Sequence, residues 1–527
     1  MSVALTLYNQ GRLAASFFWD KNQKGGGLDS IERFPSTLAR QLASFSTEYE
    51  SLLVRQLRQP ARQPSPSRIA PGTALEKQMR AWVIDPMRKL RHVFSLEEER
   101  LIIVLDGLDE CGDQEELESL MKLVLLLEEL PATFAVLVSC RPESQVTSAW
   151  NGARRRGLVI PCENVDMIAK PEMDHTVRCI VEEGLQDRIE KSTWKPSKDD
   201  LDAFALACRE LPVIASIRVR EVRQRTHRGE TLESEFRYFR DLTDAPRDVN
   251  SEYLRILQRA YMLDSSGVRQ RTAERYLQVV GTIIAAHKPF SIHSISEVLK
   301  IPEAETYAIL EPISSMVDLS LQDTEGLKFY HATAKEFISG KPTGTENDKV
   351  FFINDPKGYL LGLPLLQLFN DSCEGDLFGI PTNPPFGAEQ KWMHFEERKM
   401  YLPDHLQYAV EYLFRHLDPR QLFSQEPSEL QNAFRSLLTP QSSLTFTLLS
   451  PEGLTLPEEF LPFNDHDVFK LLRETETAIR SLTTHKGGPW HLYRSVLPFI
   501  PSSSSSYKLY GHLSDPVEIF SISSQVT

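Results

Sequence analysis

The sequence predicts an α/β core built on a parallel sheet, followed by a long all-α region. Three observations carry this prediction. Leu101–Glu110 reads LIIVLDGLDE, an apolar run that ends in carboxylates. Phe134–Val138 is a second apolar run, separated from the first by a helical pattern. Beyond Met173 the patterns are amphipathic and helical, with one hairpin among them.

The five apolar residues Leu101–Leu105 follow the charged pair Glu99-Arg100, as expected of a strand buried on both faces. The run ends on Asp106, Asp109 and Glu110, and open α/β sheets bind ligands where parallel strands end. An aspartate at this position of a P-loop NTPase holds the magnesium that neutralises nucleotide phosphates. A core strand followed by an acidic surface turn is the plainer reading; Gly107 and the second acidic pair make the pattern more specific. Leu117, Leu120, Met121, Val124, Leu127 and Leu130 then recur at helical spacing, with Asp113 as the cap and Glu116 placed to complete a capping box. Strand, helix and strand make one right-handed βαβ unit, which brings Arg141 beside the carboxylates of Asp106 and Glu110. A guanidinium there can sense a terminal phosphate or form a structural ion pair, and the spacing leaves both open.

The 527 residues suggest three or four domains, and 41% hydrophobic with 25% charged residues describes an ordinary globular composition. A net charge of −14 argues against a general nucleic-acid or anionic-membrane surface. The six cysteines lie far apart without CxxC or zinc spacing, as in reduced cytosolic proteins, so a cytoplasmic location is expected. Met1–Arg12 has no signal-peptide pattern. The most apolar stretch, Leu120–Cys140, is interrupted by Lys122, Glu128, Glu129 and Pro131, so no membrane span is expected. No G-x-S-x-G, H-E-x-x-H or Cys–His nucleophile pattern supports a hydrolase that works without nucleotide.

In chain order, Val3–Leu13 reads as the end of a helix and Ala14–Trp19 as a buried strand. Phe34, Leu38, Leu42 and Phe45 mark a helix that packs on the sheet. Arg58–Gly72 is Pro-, Arg- and Ser-rich, a mobile surface loop by composition, and Leu158–Pro161 reads as a further strand. Two helices between Asp199 and Gln224 are hinged at Glu210-Leu211-Pro212, and Asn250–Tyr261 and Glu274–Ala286 follow. Lys288–Gly340 reads as a winged helix: helices Ile292–Leu299 and Ala304–Met316, then a hairpin of Leu319–Gln322 and Leu327–Tyr330 with Gly326 at its turn. Ala304–Met316 contains no Arg or Lys, which excludes it as a DNA-recognition helix. Leu361–Phe369, His405–Leu417 and Glu429–Leu438 are further amphipathic stretches; Ser502–Ser506 reads as a flexible tract, and no 34- or 40-residue repeat follows.

LIIVLDGLDEC and FAVLVSCRPES resemble the Walker B and sensor segments of NACHT-type STAND NTPases, in particular a fungal group whose NTPase is called nephrocystin-like. AASFFWDKN (Ala14–Asn22), PSTLARQLA (Pro35–Ala43) and ALEKQMRAWVIDPM (Ala74–Met87) match the same family in order. Further on, Met173–Leu185 resembles the helix after the last sheet strand and FYHATAKEF (Phe329–Phe337) the winged-helix signature. His405–Leu417 resembles the helix that follows the winged helix in fungal members, and Pro489–Leu513 the segment immediately before their repeat arrays. The resemblance implies an incomplete P-loop NTPase sheet in 1–165, a helical lid in 166–250, a helical and winged-helix part in 251–345, a helical region in 346–500 and a flexible tail in 501–527.

It also implies site roles. Asp106 would hold Mg2+, Glu110 or Asp109 would orient the attacking water, and Arg141 would sense the terminal phosphate of ATP. Pro212 would touch the adenine, although a helix-starting proline explains it as well, and His331 would contact the diphosphate of ADP. The family's phosphate loop is implied to lie just before Met1: no G-x-x-x-x-G-K-[ST] occurs in the sequence, and Gly25-Gly26-Gly27 lacks the Lys-Ser/Thr.

Two readings of function follow. One is a nucleotide-driven signalling switch, closed by ADP bridging the NTPase sheet and the winged helix and opened by ATP for self-association, with at most slow hydrolysis and an impaired site in the chain as written. The other is a non-enzymatic scaffold or decoy that engages protein partners without nucleotide. Neither involves DNA or a membrane.

Overall fold

The computed structural model describes the chain except residues 1, 21–27, 29, 59–70, 95–99, 159–160, 164–167, 243–247, 263–266, 320–325, 375–400, 451–452, 456, 484–495 and 514–527. It is mixed α/β and mostly helical, with one small parallel sheet. Two compact units make up the chain, Met1–His175 and Thr176–Thr527. No helix among the described residues is long and apolar enough to cross a membrane. None of the six cysteines forms a disulfide.

The first unit is organised by three parallel strands in the order β1 (Leu13–Phe18), β2 (Leu101–Asp106) and β3 (Phe134–Val138). Helix α1 (Ser2–Asn9) ends before the strand, so Leu13, read as helical, opens β1 instead. The central strand is the most apolar, and Leu101, Ile103, Val104 and Leu105 are buried. Helix α2 (Phe34–Phe45) begins with Pro35 in its first turn and buries Phe34, Leu38 and Leu42 against β1, where Phe34 packs with Phe17 and Trp19 at ring-centroid distances of 5.6 and 5.2 Å. From the same helix, Gln41 reaches the open edge of β1. Its side-chain carbonyl accepts from Ser16 N–H at 2.6 Å and its amide donates to the Ser16 carbonyl at 2.9 Å. This caps an otherwise unpaired strand edge.

After α3 (Thr47–Leu57), helix α4 starts at Pro71, so the expected loop ends before its last two residues; 59–70 lie outside the described residues. The helix shifts to π-type bonding over Arg80–Ile84 just before Pro86, which has no N–H to give and would crowd the carbonyl one turn back. The carbonyls left over are taken from α3: Tyr49 hydroxyl bonds Trp82 and Gln56 amide bonds Ala81. Short helices α5 (Asp85–Lys89) and α6 (Arg91–Phe94) lead to β2. The crossover helix α7 (Gln114–Leu126) is capped by Asp113, whose carboxylate accepts from Glu115 and Glu116 N–H at 2.9 and 3.0 Å. Helix α8 (Ser144–Arg155) follows β3. The strand read at Leu158–Pro161 falls partly on 159–160, outside the described residues; Leu158 and Pro161 belong to no strand.

Helix α9 (Lys170–Lys191) leads into the second unit. An added Cβ at Gly184 would meet Val219 at 2.6 Å, so glycine lets α9 lie close on α11 (Pro212–His227). Between α10 (Lys198–Ala207) and α11, Arg209 and Glu210 take left-handed φ of 52° and 62°, a sharp hinge fixed by Pro212 at the first helical turn. Helices α11, α12 (Leu232–Arg240) and α13 (Val249–Tyr261) are joined by a buried ionic network. Arg218 grips Glu252 through two bonds of 3.0 and 2.8 Å, and both residues are 0% exposed. Arg255 bridges Glu252 and Glu221, and Arg259 bridges Glu221 and Glu235. The Arg259 guanidinium lies 3.6 Å from the Tyr238 ring centroid. Burial alone would raise the Glu221 and Glu252 carboxyls, but their arginine partners hold both below the usual range.

Helix α14 (Gln270–Ala285) is followed by α15 (Ile292–Leu299) and α16 (Glu303–Leu310), then an antiparallel pair, β4 (Val317–Asp318) and β5 (Lys328–Phe329). The first hairpin strand thus lies earlier than Leu319–Gln322, because the chain extends as soon as the helical turn through Ile313 ends; residues 320–322 lie outside the described ones. Gly326 is placed by crowding, since a Cβ there would sit 2.6 Å from the Pro289 carbonyl oxygen. Helix α17 (Ala332–Ile338) closes this part.

One core runs on through α18 (Gly362–Glu374), α19 (Asp404–Tyr412), α20 (Pro419–Leu422), α21 (Glu429–Leu437), α22 (Pro440–Leu449) and α23 (Asp467–Thr483) to Tyr510. Fully buried His416 sits at the joint: Tyr408 hydroxyl donates to its Nε2 and its Nδ1 donates to the Gly358 carbonyl, each at 2.8 Å. His287 N–H donates to the Tyr408 oxygen at 2.9 Å, which leaves the hydroxyl proton for His416. The serine tract expected to be flexible instead starts a helix. Ser504 caps α24 (Ser505–Tyr510), and Ser506 donates to the Ala478 carbonyl at 3.0 Å.

Glu252→Met strands buried Arg218 without a carboxylate and is expected to destabilise the second unit by about 3–5 kcal/mol in urea unfolding, with Arg218→Met/Glu252→Met recovering much of the loss. Because the folded Glu221 and Glu252 carboxyls are lowered, their stabilisation is present above the unfolded value, about 4.3, and is lost as pH falls through the folded values. Thermal melting below about pH 4.3 should therefore fall steeply, and less steeply in the double variant.

Candidate functional site

The parallel register brings the ends of the three strands level. Phe18 pairs with Asp106, Leu105 pairs with Val138, and Trp19 N–H donates to the Asp106 carbonyl at 3.0 Å. The next step of the ladder sets Ser139 against Asp106: Ser139 N–H donates to the Leu105 carbonyl at 2.9 Å, and the Ser139 carbonyl accepts from Gly107 N–H at 3.1 Å. The Ser139 hydroxyl donates to Asp106 Oδ1. The other carboxylate oxygen, Oδ2, takes no hydrogen bond from the described residues.

Gly107 turns the chain out of the sheet. Its φ of 72° is left-handed, and an added Cβ would lie 3.2 Å from the Trp19 carbonyl oxygen. A short 3-10 turn, Leu108–Glu110, follows, pinned by buried Leu108. Asp109 is only 7% exposed, and its carboxylate accepts from Arg141 N–H at 2.9 Å and faces Arg141 Nε at 3.3 Å. Glu110, half-buried, is the more accessible of the two acids. Burial pushes the adjacent Cys140 thiol up to about 11, with Asp109 and Cys162 adding to the effect. This cysteine is thus held as an unreactive thiol.

Among the described residues no three His, Cys, Asp or Glu side chains gather into a metal cage. One carboxylate with a free oxygen does fit magnesium that arrives with a nucleotide, because such magnesium keeps its waters and binds one or two carboxylates plus phosphate oxygens. Asp106 would hold that ion, and the nucleotide's phosphates would complete its coordination.

Asp106, Asp109, Glu110 and Arg141 therefore cluster at one end of the sheet, in the first unit. Pro212 and His331 belong to the second. Pro212 is the first residue of α11, half-buried behind the Arg209–Glu210 hinge. His331 is the exposed N-cap of α17.

Two contributors escaped the sequence reading. The role of Ser139 follows from its register, one residue past β3, once the pairing of β2 with β3 is known. Trp19 packs 4.5 Å from Phe17 by ring centroid, and its buried indole N–H finds no acceptor among the described residues; its aromatic character alone marks it only as core.

A parallel α/β sheet with an acidic strand end is the class of site present, and comparison with known sequences adds a family likeness. Residues 2–141 match the family described as Nephrocystin 3, N-terminal, a NACHT-like family associated with P-loop NTPases. No curated protein matches the chain.

Gly107→Ala places a side chain in the left-handed region and against the Trp19 carbonyl. A loss of about 1–2 kcal/mol in the first unit is expected, read as a lowered melting temperature in calorimetry.

Proposed function

We propose that the protein is a NACHT-type signalling switch whose first unit responds to adenine nucleotide. The observation that supports this reading is the coupling of adjacent strand ends: Asp106 is tied to Ser139 and Asp109 to Arg141, inside the segment that carries the family likeness. A ligand that reaches Asp106 therefore acts on both strand ends at once. Magnesium, when bound with the nucleotide, supplies charge neutralisation of the phosphates. Asp106 offers it an oxygen, and Ser139 fixes the rotamer of that carboxylate. Glu110, less buried than Asp109, is the acid placed to orient a water, while Asp109 holds Arg141 against the sheet. His331 and Pro212 are the second unit's candidates for responding to the diphosphate and the base. A switch requires differential affinity between two states, and rapid turnover is not part of the proposal.

A second reading, a protein-binding scaffold that works without nucleotide, is favoured by one observation. Asp109 and Arg141 already satisfy each other at the strand ends.

Titration of the full chain with a fluorescent ADP analogue separates the two. The switch predicts a Mg2+-dependent part of the binding that weakens at least about tenfold in Asp106→Asn, a loss of about 1.4 kcal/mol. No binding up to about 1 mM, a limit near 4 kcal/mol of binding free energy, sinks the switch and leaves the scaffold.

A further inference from the structure

Within the second unit, a groove of about 370 Å³ lies along the C-terminal half of α11 and is lined by Arg188, Arg220, Arg223, Arg228, Tyr307 and Tyr330. Its volume is within the range of small-molecule sites. Its charge runs against that of the chain, which is −14 overall.

The four guanidiniums are not equivalent. Asp187 lies 3.0 Å from Arg223 and 3.7 Å from Arg188, and Glu311 lies 2.9 Å from Arg228. Arg220 has no carboxylate within ion-pair distance among the described residues. Its Nε donates to the Ser315 carbonyl at 3.0 Å, and its guanidinium stacks 4.3 Å from the Tyr330 ring centroid. Burial lowers its affinity for the proton, and its buried Nη2 has no hydrogen-bond partner among the described residues. Asp318, whose charge acts on Arg220, already accepts from the Tyr330 hydroxyl at 3.2 Å.

An unsatisfied buried donor on a charged group is costly, and an arginine fixed by stacking and one backbone bond presents its remaining donors in a rigid fork. That fork matches the oxygens of phosphate. Arg223, 43% exposed by side chain, and Arg188 stand in the same groove to receive a second phosphate. The exposed tyrosine faces of Tyr307 and Tyr330 supply the apolar wall.

We infer that this groove binds a small molecule carrying two or more phosphates, with Arg220 as the principal anchor. The groove's lining belongs wholly to the second unit, and the site needs no divalent cation because its own arginines neutralise the ligand. A nucleoside diphosphate and an inorganic polyphosphate share this chemistry, and the test distinguishes them.

The experiment is isothermal titration of the full chain, in EDTA, with inorganic tripolyphosphate, pyrophosphate and ADP. Binding is expected at low salt and should weaken as salt rises. Arg220→Gln should weaken it at least tenfold, and Arg220→Lys should fall between. Arg223→Gln, on a more exposed side chain, should weaken it several-fold and guards against misfolding of the Arg220 variants, whose melting curves are recorded without ligand. Tighter binding of ADP than of pyrophosphate assigns the ligand as a nucleotide; equal or weaker binding assigns the phosphates alone. The inference is overturned if none of the three probes binds at 1 mM, if a phosphopeptide binds while they do not, or if Arg220→Gln and Arg223→Gln both bind like the parent protein.

Discussion

The parallel pairing of β2 with a neighbour on each side is the constraint from which the first unit follows. A strand flanked on both edges and covered on its faces has to be apolar along its length, so its polar chemistry is displaced to the end. Asp106 is where that displacement happens, and the register decides who meets it: Trp19 through the backbone on one side, Ser139 through backbone and hydroxyl on the other. Gly107 then has to take a left-handed turn, because any side chain would press on the Trp19 carbonyl. Burial of Leu108 fixes the turn, and the turn delivers Asp109 to Arg141. Sequence, register and electrostatics converge on one small acidic mouth.

The second unit depends on a different kind of constraint. Three buried glutamates and the arginines that surround them join α11, α12 and α13, and each of the acids answers to two arginines. Such a network contributes less net stability than an apolar core of equal volume, but it tolerates few rearrangements, since moving one helix strands several charges together. Helix α11 therefore has two demanding faces. One carries the ion pairs, and the other carries Arg220 and the arginine groove beside Tyr330. Any ligand in that groove acts on a helix whose opposite side is locked to α12 and α13, and the Arg209–Glu210 hinge stands at its start.

The regular elements were legible because they rest on uninterrupted patterns. Leu101–Asp106 and Phe134–Val138 are continuous apolar runs between polar boundaries, and Ile292–Leu299 has a serine cap and apolar spacing, so their limits are plain in the sequence. The acids at the end of β2 were equally visible. What was hidden depends on pairing between distant segments. Ser139 gains its partner only through the register of β3 on β2, and Gln41 caps Ser16 through helix placement that no local spacing encodes. Arg218, Glu221, Glu252 and Arg255 read as solvent-facing charges in isolation, because nothing in one helix shows that its charged face meets an oppositely charged one. Serines 502–506 illustrate the reverse error, since low complexity suggests a linker while serine is also among the best residues to start a helix.

Hydrogen–deuterium exchange of the full chain, with and without ADP and Mg2+, tests most directly whether the strand ends form a nucleotide-responsive site. The account predicts slowed exchange at Asp106–Glu110 and at Ser139–Glu143 only when nucleotide and Mg2+ are present together, with a change at Phe329–Phe337 in the second unit. Identical exchange at all three segments in every condition, from a chain whose cores remain protected, would contradict it.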